Sequence, residues 1–378
     1  MSTIKVNNLE SSTGGGVAAK LTSVNGGGIG TKNLIINGAM QVAQRGTSSA
    51  QTGYRTVDRF RPDAGGTDET PTQEQVDVAS GTGPYTSGFR KALKITNGNQ
   101  TSGAQAADFV QIDHRIEAQN IAKSGWNYTS ATSFITLSFW VKSSVSKDFQ
   151  IAVRTQDGTS QSFQFETPTL TADTWTKVTK TIPGNSNLTF DNNTNIGLLI
   201  FWFPYIGTEY TNSANTLDAW QTSSGSTYGV VDGTSWYTTN DATFELTGVQ
   251  LELGDVATDF QHRSFDEDRR LCQRYFQVLR SASATGVNGN TVRMNCPLMC
   301  EMRSEPSVGK GGSGNINVGD MVSVGSNTTS TPSSDGYQFD RLMMSCQLGG
   351  FTGLTAYRSY CHEPSGSHLG LITADAEI

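Results

Sequence analysis

Charge is scarce in this sequence: only 16% of its 378 residues are Asp, Glu, Lys or Arg, and the net charge is −7. No basic stripe occurs anywhere, which argues against a reader of the nucleic-acid backbone. So little charge also argues against a chain kept unfolded by self-repulsion. Long apolar runs are missing as well. The longest, Leu198 to Phe203, is strand-sized and falls far short of the roughly 20 residues of a membrane-spanning helix. The opening stretch MSTIKVNNLESSTGGG lacks the apolar core of a secretory signal, so synthesis in a cytosol is expected. Cysteine is limited to five residues, an odd number, all beyond residue 270, which is no disulfide framework. The four histidines, His114, His262, His362 and His368, are scattered, and no GxSxG, HExxH, P-loop or GxGxxG pattern accompanies them. His114, in an alternating run, is expected at a surface or interface.

What the sequence does have is 41 glycines among many Ser, Thr and Asn, punctuating short alternating apolar runs. That is the signature of a turn-rich all-β chain. The clearest run places Ile135, Leu137, Phe139 and Val141 on one face, with Thr136, Ser138, Trp140 and Lys142 on the other. Others are Leu34–Val42, Thr56–Phe60, Gln73–Val78, Ala92–Thr96, Phe109–Ile116, Phe149–Val153, Phe163–Phe165 and Trp175–Ile182. Leu198 to Phe203 is apolar on both faces and predicts a strand covered on each side. No helical period precedes residue 264, so a β-sandwich is expected.

Residues 244–278 form the joint of the chain. Phe244 and Leu246 point one way, and Val249, Leu251 and Leu253 take over after Gly248, as a bulged strand would show. Ser264 with Glu267 three residues on predicts a capping box opening a helix. Leu271, Tyr275, Val278 and Leu279 fall near one face of that helix, beside Cys272 and Phe276. After it come the runs Thr291–Met302, Gly336–Leu348, Leu354–Tyr360 and one near Leu369–Thr373, with a Gly/Ser-rich loop from Gly309 to Ser334. Cys296, Cys300 and Cys346 lie on the apolar faces of these runs, where free cysteine packs as a small hydrophobe. The sharper alternative, zinc on Cys296, Cys300, Cys361 and His362, lacks knuckle spacing.

GVQLELGDVATDF followed by RRLCQRYFQV resembles a junction in tail-fibre and related virion proteins of tailed bacteriophages. There a carbohydrate-binding-module-like jelly roll runs into a small C-terminal β unit. Asn33-Leu34-Ile35-Ile36-Asn37-Gly38-Ala39-Met40 resembles the first strand of such jelly rolls. Thr373-Ala374-Asp375-Ala376-Glu377-Ile378 resembles the last strand of the C-terminal unit. The resemblance implies a mainly β chain in three parts. Residues 1–32 would be a virion-attachment arm, residues 33–262 a jelly-roll β-sandwich, and residues 263–378 a helix with a small α+β cap or oligomerisation unit. It also implies other virion proteins, further copies in a homotrimer and a bacterial surface glycan as partners, with no cofactor and no membrane insertion. The arm, whose only apolar residues are isolated, also reads as a plain flexible tail.

The best sequence candidates for glycan contact are aromatics set among small hydrogen-bonding residues. Tyr210, Trp220, Tyr228, Trp236 and Tyr237 lie in the aperiodic segment from Pro204 to Asp241, and Trp126 and Tyr128 lie in a Gly-Trp-Asn-Tyr turn. Flat rings with a polar edge suit the faces of sugars. The same rings could instead plug the ends of the sandwich or pack on a neighbouring subunit. A polysaccharide-degrading tailspike is the enzymatic alternative, since it needs only two carboxylates at a suitable separation. Glu245 and Glu252 sit in the strand motif, however, and Asp266, Glu267 and Asp268 sit in the first helical turn, where structural roles prevail. No catalytic residue is expected. A head fibre or capsid-decorating protein is the structural alternative. Calcium on Asp191, Asn192 and Asn193 has no ligand pattern behind it.

Overall fold

A computed structural model describes residues 33–279, 283–311, 316–320, 342–362 and 371–378, together with the backbone of the short strands at 23–24, 27–28, 324–328 and 333–334. The expectations for the arm, for residues 336–341 and for His368 fall outside the described residues. The chain is mainly β, and the named strands pair antiparallel throughout the sandwich. Twelve strands build it: β1 Ser48–Ser49, β2 Phe60–Gly65, β3 Thr72–Asp77, β4 Lys91–Thr96, β5 Phe109–Glu117, β6 Phe134–Ser143, β7 Gln150–Thr155, β8 Gln161–Glu166, β9 Thr176–Pro183, β10 Ile196–Ile206, β11 Trp220–Thr222 and β12 Thr243–Leu253. One sheet runs β11-β8-β7-β10-β5-β2 and the other β9-β6-β12-β4-β3-β1. At most steps the chain crosses from one sheet to the other, the connectivity of a jelly-roll sandwich. Two short helices interrupt it, α1 Gly83–Thr86 and α2 Ala118–Ala122.

The alternation read from the sequence fixes which side chains fill the space between the sheets. Ile135, Leu137, Phe139 and Val141 of β6 are buried there, opposite Leu198, Ile200 and Trp202 of β10. The bulge falls where the slip in period places it. The register of β12 against β6 shifts between Thr247 and Gln250, and Gly248 has φ +63°. Two runs are corrected. Leu34–Val42 and Thr56–Asp58 lie outside the described strands, because the backbone turns at Asn37, Met40 and Arg59, all with positive φ. Asn37 holds that turn: its side-chain amide donates to the Val42 and Asp58 carbonyls, each at 2.9 Å.

Beyond the sandwich, α3 (Phe265–Gln273) begins with the expected capping box on Ser264 and Glu267. It ends sooner than its apolar spacing suggests. Phe276–Leu279 is a strand, β13, paired with Leu371–Asp375, and Leu271 is 38% exposed. The pull of that pairing outweighs a short helix whose own residues are mostly charged. The chain continues through β14 Ser283–Asn288, β15 Thr291–Pro297, β16 Ser307–Gly311, β17 Ile316–Gly319, β18 Val324–Thr328, β19 Ser333–Ser334, β20 Met343–Leu348, β21 Ser359–His362 and β22 Leu371–Asp375. The supposed loop from Gly309 to Ser334 therefore carries strands, although its Gly/Ser composition hides them. A separate hydrophobic cluster gathers here around Val292, Met294, Cys296, Cys346 and Leu348. Cys296 and Cys346 are buried, Cys300 half-buried and Cys361 exposed, and all are free.

The two clusters are joined by charge. Arg59 is fully buried, places its guanidinium carbon 3.5 Å over the Tyr275 ring, pairs with Glu377 and donates to the Arg115 carbonyl at 2.7 Å. Arg45 lies 3.6 Å over the Phe276 ring and pairs with Asp375 at 3.0 Å. Glu117, at the end of β5, takes two hydrogen bonds from Arg274 at 2.8 and 2.9 Å and a third from the Tyr275 hydroxyl at 2.6 Å. Burial alone would raise its carboxyl, but the hydrogen bonds from Arg274 and Tyr275 outweigh that and hold it below the ordinary 4.5. His114, expected at the surface, is buried instead, its ring 4.7 Å from that of Phe60, and burial keeps it neutral.

Glu117→Gln is expected to lower unfolding free energy by about 2 kcal/mol at neutral pH, because Arg274 loses its charged partner. The Glu117 contribution is in place above pH 4.5 and disappears as pH falls through the lowered folded-state value. Denaturant titrations at pH 7 and pH 3.5 check this: the gap between wild type and variant should narrow at the lower pH.

Candidate functional site

Strand β10 is apolar on both faces. Its inward residues join the main core, while Leu199, Phe201 and Phe203 point to the outer side of the sheet. There they form a second, smaller cluster with Ala152 and Ile206, against which Tyr210 and Tyr228 pack. Phe201 and Phe203 stack at 5.7 Å between centroids and 13° between planes. Tyr228 stands edge-on to both, at 5.5 and 6.0 Å, and Phe109 of β5 meets Tyr210 edge-on at 5.6 Å. The result is a groove of about 180 Å³ lined by Phe109, Gln111, Phe201, Phe203, Ile206, Tyr210 and Tyr228. That is below the roughly 300–1,000 Å³ of pockets for drug-sized ligands, and suits one ring at a time.

The wall of the groove is a loop folded back on the sheet. Tyr228 N–H donates to the Tyr210 carbonyl at 3.2 Å, and Asn215 donates to the Gly229 and Ser226 carbonyls at 2.6 and 3.0 Å. The Thr227 carbonyl accepts from Ser162 at 2.9 Å and from Gln164, both on β8. Arg154 of β7 donates to the Tyr228 hydroxyl, with its guanidinium carbon 5.1 Å from the ring. So the phenol is oriented, and an arginine and Gln111 supply hydrogen bonds beside aromatic faces. Further along, Lys147 pairs with Asp232 at 2.5 Å and donates to the Gly233 carbonyl at 3.0 Å, fastening the far end of the loop. Burial raises the Asp232 carboxyl to about 6, with Lys147 opposing the shift.

Of the seven aromatics proposed from sequence, only Tyr210 and Tyr228 come together at this groove. Trp236 and Tyr237 are corrected: both are almost wholly buried, Tyr237 lying 4.5 Å from the Tyr205 ring and Trp236 donating its indole N–H to the Thr243 carbonyl at 3.0 Å. Trp126 is likewise buried, 4% exposed, with its N–H on the Ser133 carbonyl. A ring with both faces in the core has none left for a sugar. Tyr128 packs edge-on to Phe190 at 5.0 Å, on the rim of that same cluster. Trp220 is half-buried against Phe163 and bonds the Pro183 carbonyl at 2.7 Å, away from the groove lining. Phe109, Gln111, Phe201, Phe203 and Arg154 were not among the sequence candidates. The signal for them was the double-sided run Leu198–Phe203, whose outward half needed a cover.

No group of three or more His, Cys, Asp or Glu side chains that could hold a metal ion occurs among the described residues. No helix there is long and apolar enough to cross a membrane.

No protein-family model matches the sequence, and no match is found among curated proteins. Solved structures give distant likenesses. The enzymatically active domain of bacteriophage CBA120 tailspike protein 4 aligns at TM-score 0.30 and 9% identity, over 58% of this chain and 21% of that one. A CBM4 structure aligns at 0.29 and 13%, over 58% and 99%. A family 11 carbohydrate-binding module from Clostridium thermocellum, in complex with a β-1,3-1,4-mixed-linked tetrasaccharide, aligns at 0.25 and 10%, over 57% and 98%. At these scores neither fold nor function is drawn from them.

Asp232 holds its proton to about pH 6 in the folded protein and to about 3.8 when exposed. Ionising Asp232 in its buried site therefore carries a cost, only partly offset by Lys147, that is absent below 3.8 and is complete once pH has risen through 6. Hydrogen exchange across residues 227–233, corrected for intrinsic rates, should show greater protection at pH 5 than at pH 7.5, and Asp232→Asn should remove the difference.

Proposed function

We propose that this chain is a glycan-binding protein of a bacteriophage particle, a fibre whose sandwich holds surface polysaccharide in the groove beside Tyr228 without cleaving it. The observation that carries the reading is the outer-face groove, where Phe109, Tyr210 and Tyr228 offer aromatic surface next to Gln111 and Arg154. Rings of this kind match the C–H faces of sugars, while the amide and guanidinium match hydroxyls. The assignment to a virion rests on resemblance alone, that of the 248–278 junction, of Asn33–Met40 and of Thr373–Ile378. Residues 1–32 would attach to the particle, and the unit after Ser264 would hold copies together.

Each groove is small, so single-site affinity is expected to be weak, and linked copies would raise it by about 10²–10⁴. Three copies are proposed; a monomer in sedimentation at micromolar concentration would remove that gain. A panel of bacterial surface polysaccharides tests the groove directly. Tyr228→Ala should weaken binding at least tenfold, about 1.4 kcal/mol, with the unfolding midpoint little changed. Unaltered binding by Tyr228→Ala would overturn the reading, and new reducing ends on the polymer would replace it with hydrolysis.

A further inference from the structure

The opposite face of the sandwich carries a larger depression. It encloses about 420 Å³ between the outer side of β6 and β9, the loop at residues 86–89 and the connector at residues 258–262. Trp140 stands at its base. The indole is gripped by backbone: a Cβ at Gly83 would come within 2.6 Å of the ring, and one at the bulge glycine, Gly248, within 3.0 Å. Phe89, Phe260 and His262 form one wall, with ring centroids 4.8 to 5.1 Å apart, and His262 Nε2–H donates to the Ser87 carbonyl at 2.9 Å. The connector is itself fixed, since Glu252 accepts from the Thr258 N–H at 2.8 Å and from its hydroxyl at 2.6 Å. The walls are thus rigid before any ligand arrives.

His262 and Thr258 are committed to the walls, but four other polar groups facing this space are not. Lys177 is the cross-strand neighbour of Trp140, and Gln250 pairs with Ser138 on the other side. The Trp140 indole N–H, the Ser138 hydroxyl and the Lys177 ammonium have no hydrogen-bond or ion-pair partner among the described residues, and neither has the Asp259 carboxylate. Three donors, one of them cationic, beside a fixed aromatic face call for a ring that carries an anion. Asp259 adds an acceptor for hydroxyls.

We infer that this pocket binds an acidic sugar, a pyranose bearing a carboxylate, with its ring on Trp140 and its carboxylate on Lys177 and the indole N–H. The pocket lies on the other sheet from the Tyr228 groove, so the two sites stand or fall separately. With both occupied, one sandwich grips a polymer on two faces.

The test uses the full chain and trigalacturonate, with its fully methyl-esterified form as a neutral probe of the same shape, in calorimetric titration. Lys177 is exposed on an edge strand, so Lys177→Gln should keep the fold. It should weaken trigalacturonate binding about tenfold and leave the ester unaffected, and Trp140→Phe should weaken both. Tyr228→Ala should leave this site unchanged. Binding that ignores Lys177→Gln and Trp140→Phe but vanishes in Tyr228→Ala would overturn the second site and support the first. Equal affinity for acid and ester would overturn the role given to Lys177. No binding of either probe would overturn the acidic-sugar pocket, while the polysaccharide panel would still judge the Tyr228 groove.

Discussion

Arg59 is the residue through which the two hydrophobic clusters of this protein become one structure. A guanidinium buried this completely is tolerable only if its charge is answered, because an unpaired charge in the interior costs several kcal/mol. Only its Nε is left without a hydrogen-bond partner among the described residues. Here Glu377 answers the charge, the Arg115 carbonyl takes a hydrogen bond, and the Tyr275 ring covers the planar face. Two of those three partners lie beyond residue 264, so the sandwich leaves a buried cation that the later residues must neutralise. Arg59 itself sits in the turn just before β2, with a positive φ of 71°.

Around that point the contacts are polar and directional rather than simply greasy. Arg303 donates to the carbonyls of Ala376, Thr194 and Glu377 at 2.9, 3.0 and 3.3 Å, and Arg115 reaches the Ile378 carbonyl at 2.6 Å. An apolar interface could slide, but these bonds fix one register between the strands after α3 and the outer face of the sheet at β5. That register matters for the site, because the same strand β5 carries Gln111 and Phe109 further along. One end of the outer face is therefore covered by the last residues of the chain, and the other by the loop that holds Tyr228. The groove is what the two covers leave open.

Much of the fold was legible because β structure writes itself into alternation. The period of two in Ile135–Lys142 gave both a strand and its inward face, and the slip at Gly248 located a bulge. The capping box at Ser264 marked a helix start, since it depends on two residues three apart. Where the reading failed, a longer-range effect had won. The helix stopped at Gln273 because Phe276–Leu279 found a strand partner about ninety residues later. In the Gly/Ser-rich stretch after Gly309, Val324–Thr328 closes a local hairpin on Ile316–Gly319, but Gly309 to Gly311 and Ile316–Gly319 are also matched by residues far away, at 371–373 and at Cys361 and His362. Leu34–Val42 lost its strand to the Asn37 side chain, which satisfies backbone carbonyls that a neighbouring strand would otherwise bond.

By itself the sequence determined the class of structure, the inward faces of the central strands, and the chemical means available: aromatic rings, amides and few charges. All of these depend on residues close together along the chain. Tertiary structure decided which rings are exposed. Trp236 and Tyr210 are indistinguishable as letters in one aperiodic segment, yet one is sealed beneath Thr243 and the other walls a groove. That difference arises from where a loop lands on a sheet, and the landing is set by hydrogen bonds between residues dozens of positions apart.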